Sequence, residues 1–166
     1  KIASEHFKNS DEQYNLAASY ERCGTLHKDL GQFEKALAFF ELDIKLTKEL
    51  YDANPKSEGL KNGLAISYHR LGAINETQGK LDDALKHYEK YKDLMLELSN
   101  DNQKSEKIKN DLAISYEKLG SIHQGQGQFE KALAFFELRN SLSKELYDAN
   151  PKSVQLKNGL AISYYK

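Results

Sequence analysis

The chain has 166 residues, 30% of them charged, with a formal net charge of -1. Lysine and glutamate are mixed along the whole length, which reads as solvated helix faces and excludes the basic stripe that nucleic-acid binding needs. No apolar run approaches the ~20 residues that span a bilayer, and a single cysteine, Cys23, excludes an internal disulfide.

The opening Lys1-Ile2-Ala3-Ser4-Glu5 has no signal-peptide shape and no Met, so the native start is expected elsewhere. A reducing, cytoplasmic location is the simplest expectation. Leu, Ala, Lys and Glu dominate and prolines number two, a helix-forming composition.

The chain repeats itself. Leu-Ala-x-Ser-Tyr recurs at Leu16, Leu64, Leu112 and Leu160, each copy 48 residues after the last. The same step relates Gly24, Gly72 and Gly120, then Gly31, Gly79 and Gly127, then Ala36, Ala84 and Ala132. Gln-Phe-Glu-Lys-Ala-Leu-Ala-Phe-Phe-Glu-Leu stands unchanged at Gln32 and Gln128, and Lys-Glu-Leu-Tyr-Asp-Ala-Asn-Pro-Lys-Ser at Lys48 and Lys144. Repeats are expected at about 11–58, 59–106 and 107–154, with a partial copy at 155–166, all in one array.

Each repeat reads as two helices, A then B. In the first repeat helix B carries Phe33, Ala36, Leu37, Phe40, Ile44 and Leu50, plus Phe39, Leu42 and Leu46. That broad apolar arc suits a helix wedged between its partner and the next repeat. It ends at Asn54, because the residue before Pro55 is pushed out of the helical region. Pro55 is then expected in the first turn of the next helix A, which runs from about Ser57 to Gln78. Leu60, Leu64, Tyr68, Leu71 and Asn75 fall on one face of it. Gly79 supplies a left-handed stop, a turn of about two residues follows, and helix B runs from Leu81 to Asn100. Gln103 replaces the proline there, so a softer break is expected. The third helix B ends at Asn150, before Pro151.

These residues resemble the tetratricopeptide repeat. The family pattern sets an aromatic, a Leu-Gly, a bulky residue, an Ala and a second aromatic at fixed places. Here they are Tyr68, Leu71, Gly72, Asn75, Ala84 and Tyr88; Tyr116, Leu119, Gly120, His123, Ala132 and Phe136; and Tyr20, Cys23, Gly24, His27, Ala36 and Phe40. The period of 48 exceeds the family's usual one, as in the extended repeats of kinesin light chain, and lengthens both helices to about 20 residues, or ~30 Å. The resemblance implies an all-α, right-handed α-solenoid of antiparallel helix pairs, about three and a half repeats long.

It also implies that the A helices line the concave side. The stripe opposite the core face is Tyr14, Ala18, Glu21, Thr25 and Lys28; then Asn62, Ile66, His69, Ala73 and Glu76; then Asn110, Ile114, Glu117, Ser121 and Gln124; and last Asn158, Ile162 and Tyr165. Two readings stand for it: a groove for a partner peptide or helix, and plain solvated surface with the binding site in repeats outside this sequence. Asn62, Asn110 and Asn158 fit a ladder for an extended backbone or, the favoured reading, local hydrogen bonds near helix starts. Arg22, Arg70 and Lys118 form a row that either attracts an acidic ligand or pairs with Glu21, Glu117 and other nearby acids. The family's carboxylate clamp is absent: its places hold Glu21 and Thr25, then His69 and Ala73. No binding of that kind is expected.

His6, His27, His69, His87 and His123 form no metal-ligand spacing, and no cofactor is expected. His27 and His123 are expected to be partly buried with a hydrogen-bond partner. Cys23 takes the place of Leu71 and Leu119 and reads as a small core residue. With no nucleophile elbow, phosphate loop or dinucleotide fingerprint, no catalytic residue is expected and the chain reads as no enzyme. The expectation is a protein–protein interaction module or scaffold. The alternatives are a self-associating array joined through its uncapped end, and the ligand-sensing repeats of a larger regulatory ATPase or protease.

Overall fold

The computed structural model describes the backbone of residues 2–164 and the side chains of residues 10–161. The described residues form seven helices and no strand: α1 (Ile2–Asp29), α2 (Phe33–Ala53), α3 (Glu58–Thr77), α4 (Leu81–Asp101), α5 (Glu106–Gly125), α6 (Phe129–Ala149) and α7 (Val154–Tyr164). The chain is all-α, and its A and B helices alternate at the 48-residue step. Helices α2 to α6 are 20 or 21 residues long, the lengthened form expected of this period.

The A helices α1, α3 and α5 end the same way. Gly31, Gly79 and Gly127 hold φ near +72°, +71° at the first, a conformation that costs glycine nothing. The amide after each glycine donates back to the carbonyl five residues earlier, as Lys80 N does to Asn75 O at 2.9 Å. The glycine amide donates to the carbonyl three back, as Gly79 N does to Glu76 O at 3.0 Å. Two orphan carbonyls are satisfied this way and the chain reverses. The turn takes three residues, not two, because both the cap residue and the residue after the glycine lie outside the helices.

Each B helix ends at an asparagine. Ser57 N donates to Asn54 O at 3.1 Å, closing a turn with Pro55 inside it. Pro55 therefore lies in the turn and not in the first turn of α3. Its fixed φ suits the second place of a β-turn, and its missing N–H costs nothing there. Ser57 starts α3 instead, its Oγ accepting from Leu60 N at 3.3 Å. Ser105 and Ser153 do the same for Ile108 N and Leu156 N. The break at Gln103 is no softer. α4 ends at Asp101, the place equivalent to Ala53, and Ser105 N closes the turn onto Asn102 O at 2.9 Å.

The chain forms two compact units, Lys1–His87 and Tyr88–Lys166, divided within α4. In the first, α2 packs against both α1 and α3. Ala36 and Phe40 of α2 meet Leu71 and Ile74 of α3 in its core, flanked by Phe33, Leu37 and Ile44. The broad apolar arc of helix B is thereby used on two sides. In the second unit α6 packs against α5 and α7 in the same way.

Cys23 is exposed, which corrects its reading as a core residue. Its equivalent Leu71 is buried by the preceding helix B, and among the described residues no helix precedes α1. The same absence leaves Leu26 61% exposed where Ile74 is fully buried. His27 and His123 lie as expected. Each Nδ1 is within hydrogen-bond reach of a glutamine Oε1, Gln32 at 2.8 Å and Gln128 at 3.1 Å. Each ring stacks on a phenylalanine of helix B, Phe39 and Phe135.

Candidate binding groove

In the first unit α1 and α3 both lie against α2, and a cavity of about 210 Å³ opens among the three helices. Tyr14, Ala18 and Glu21 of α1 form one wall, and Leu60, Ile66 and Arg70 of α3 the other. Asp43 and Thr47 of α2 form part of the floor.

The floor is polar and buried. Asp43 is 4% exposed. One carboxylate oxygen accepts from Ser67 Oγ at 2.8 Å and the other from Thr47 Oγ1 at 3.1 Å. Thr47 Oγ1 also lies 2.9 Å from the Asp43 carbonyl oxygen. Above the floor Arg70 bridges to Glu21 at 3.0 Å, joining α3 to α1. Burial pushes the Asp43 carboxyl above its ordinary range. The two hydroxyl donors and the Arg70 charge oppose that rise, while Glu21 adds to it.

The second unit fills the equivalent floor differently. Arg139 stands where α2 has Asp43, and Ser143 where α2 has Thr47. Arg139 is 7% exposed and reaches Glu117 of α5 at 3.1 Å. On α4 the same place holds Tyr91, whose hydroxyl donates to the Asp111 carbonyl at 3.0 Å. Burial raises the Tyr91 phenol pKa.

Of the predicted stripe, Tyr14, Ala18, Glu21 and Ile66 are gathered at this one cavity. Thr25 sits one turn on, 3.5 Å from the Glu21 carboxylate. Lys28 lies exposed beside Asp29 at 3.6 Å. Asn62, His69 and Glu76 are half-buried on α3 outside the cavity. In the second unit Ile114, Glu117 and Ser121 are half-buried, and Asn110, Gln124 and Asn158 are exposed. The side chain of Ile162 and all of Tyr165 lie outside the described residues. The asparagine row starts no helix; Ser57, Ser105 and Ser153 do. Of the basic row, Arg70 pairs with Glu21, Lys118 lies over the Tyr88 ring at 5.7 Å, and Arg22 is exposed.

Asp43, Thr47 and Ser67 were not foreseen. The signal was present in the sequence: the otherwise identical blocks of α2 and α6 differ at 43–45 and at 47. Among the described residues no group of three His, Cys, Asp or Glu side chains could hold a metal ion, and no helix is long and apolar enough to cross a membrane.

The solved structure of BtubC (BKLC) from P. vanneervenii has a TM-score of 0.66 with this chain at 21% identity, over 92% of this chain. The match spans 57% of that protein, so this chain corresponds to little more than half of it. The N-terminal domain of stress-induced protein-1 (STI-1) from C. elegans gives a TM-score of 0.53 at 16% identity, over 92% of this chain and 97% of that one. At such identities these likenesses show the fold. No curated protein sequence matches. The tetratricopeptide repeat pattern itself matches residues 17–49, 65–94 and 113–143, more than half of the chain. With paired helices, left-handed glycine turns and the repeat matched three times, the chain belongs to the tetratricopeptide repeat family, a helical scaffold for protein interaction.

Proposed function

We propose that the chain holds a peptide or helix of a partner protein against its A helices, and that the cavity among α1, α2 and α3 is the principal seat. The observation that carries this is the cavity itself: mainly apolar walls from two A helices, bridged by the Arg70–Glu21 ion pair, over a buried, hydrogen-bonded carboxylate. Few convergent polar groups set among apolar walls are what a recognition pocket requires. With this reading go a single array over residues 1–166, a cytoplasmic location, and no reaction of its own. Selection of binders from a displayed peptide library tests it. The selected peptides are expected to lose binding to Ile66→Lys, with helicity by circular dichroism unchanged. Peptides that hold Ile66→Lys as well as the parent would move the site off this face.

A second reading, self-association, is favoured by one observation. Phe129 and Leu133 of α6 are exposed, although their equivalents Phe33 and Leu37 flank the α2–α3 core. Leu16 and Leu26 of α1 are exposed where Leu64 and Ile74 are buried. A helix-B face and a helix-A face, each of a kind that elsewhere packs on the other, are thus both open. Light scattering over a concentration range checks it. A mass that grows with concentration supports end-to-end assembly, and a monomer throughout removes it.

A further inference from the structure

Among the described residues the cavity of the first unit has more negative charge than cation. Its charged lining there is Glu21, Asp43 and Arg70, two carboxylates to one guanidinium. Arg70 bridges to Glu21 at 3.0 Å. Asp43, the more deeply buried of the two acids, is hydrogen-bonded among the described residues by hydroxyls, Ser67 and Thr47, and feels the Arg70 charge without an ion pair to it. A buried carboxylate with hydroxyl donors and no ion partner in contact is a costly arrangement, and a cation brought to it recovers that cost.

The repeats supply an independent observation. α2 and α6 are identical over Phe33–Leu42 and Phe129–Leu138, and again from Lys48 and Lys144 onward. They diverge at 43–45 and at 47, and two of these four places, Asp43 and Thr47, line the cavity. In α6 the place of Asp43 is filled by Arg139, which sits buried against Glu117. Glu117 is the repeat equivalent of Glu21. The second unit thus supplies from its own chain a cation facing this glutamate. The first unit keeps the glutamate, removes that cation from helix B and puts a carboxylate in its place.

We infer that this cavity accepts a lysine or arginine side chain projected by the partner peptide, its cationic head between Asp43 and Glu21 and its methylene stem along Leu60 and Ile66. The inference rests on the groove reading above. A volume of about 210 Å³ suits one long side chain and falls short of the ~300–1,000 Å³ of pockets for drug-sized ligands. Arg and Lys stems lie readily along apolar walls while the head finds its ions.

The test uses the whole chain and two small probes of equal shape, n-butylguanidinium and the uncharged n-butylurea, followed by backbone amide NMR shifts. The guanidinium is expected to move amides of α2 and α3 around Asp43 and Ser67, with an affinity at least about tenfold above the urea. Asp43→Asn is expected to erase that difference. Arg70→Gln removes the competing cation and is expected to tighten guanidinium binding, an effect that loss of structure would not produce. Equal binding of the two probes, or weaker guanidinium binding by a folded Arg70→Gln, overturns the inference. Library peptides that bind the groove, lack lysine and arginine, and ignore Asp43→Asn also overturn it, while leaving the groove reading intact. Guanidinium held at Asp43 with no groove-binding peptide supports the cation site and removes the groove reading instead.

Discussion

Gly24 of α1 lies under the ring of Phe40 of α2 so closely that a Cβ on the glycine would stand 2.6 Å from Phe40 Cε1. Gly120 and Phe136 repeat the relationship at 2.6 Å. This pair sets how near the two helices of a repeat approach. Alanine at either glycine gains about 1 kcal/mol of helix propensity, but forcing the ring aside costs about 1–3 kcal/mol. Gly24→Ala and Gly120→Ala are therefore expected to destabilise, whereas Gly59→Ala, whose Cβ would meet nothing nearer than 3.9 Å, is expected to stabilise by roughly 0.5–1 kcal/mol. Urea unfolding of the three variants checks the opposite signs.

Asp43 gives the chain an uncommon pH response. Its folded pKa lies above the ordinary 3.8, raised by burial. Its protonated form therefore contributes stability in full below 3.8, and that contribution is lost as pH rises through the folded value. Asp43→Asn holds the neutral state at every pH. The stability of Asp43→Asn relative to the parent should climb as pH rises from 3.8 and then level off. Urea midpoints measured across that range read it directly.

His87 should respond in the opposite direction. Burial lowers its pKa from 6.5, with Asp83 and Glu41 pulling it partly back. The ring packs on Tyr68 at 6.1 Å. A neutral His87 contributes stability above pH 6.5 that is lost as pH falls through its folded value. The equivalent places hold Phe39 and Phe135, so His87→Phe should fit and should flatten the melting temperature over that part of the acid limb. An unchanged slope would assign the loss to other groups.

Arg139 and Glu117 form a pair buried mainly on the arginine side, 8% exposed against 24%. Glu117→Gln strands a buried guanidinium. The cost should be roughly 2 kcal/mol, below the ~3–5 of a fully buried pair because Glu117 keeps some solvent. Arg139→Met removes the charge and keeps much of the volume, and should come close to neutral. Thermal unfolding of both variants separates a stranded charge from lost packing.

Helix ends were legible in the sequence because local chemistry fixes them. Gly79 stops α3 and Asn54 caps α2 whatever lies around them. The interior face of helix A was legible from its period, down to the polar Asn75, which is buried and donates to Leu71 O at 3.0 Å. Cys23 was misread because periodicity names a face and says nothing of what covers it. Pro55 was misread because a serine two residues later makes the better cap. The cavity was half legible. Tyr14, Glu21 and Ile66 follow from the helix A stripe, but Asp43 lies on helix B among apolar residues, where only its difference from Arg139 sets it apart.

The duplicated block of α2 and α6 also bears on how the chain finds its fold. α1 and α5 each offer a glycine seat to a phenylalanine ring with the same spacing, and the segments that fill the seats are identical from Phe33 to Leu42 and from Phe129 to Leu138. Packing at that contact cannot tell the right helix from the wrong one, and Arg139 would find a glutamate in either place. What selects the correct partner is the three-residue glycine turn, which holds each B helix beside its own A helix at a local concentration far above that of the distant copy. Refolding is therefore partitioned by chain connectivity more than by contact energy, and lengthening the turn at Gly31 would raise the share of molecules that swap helices between repeats or between copies.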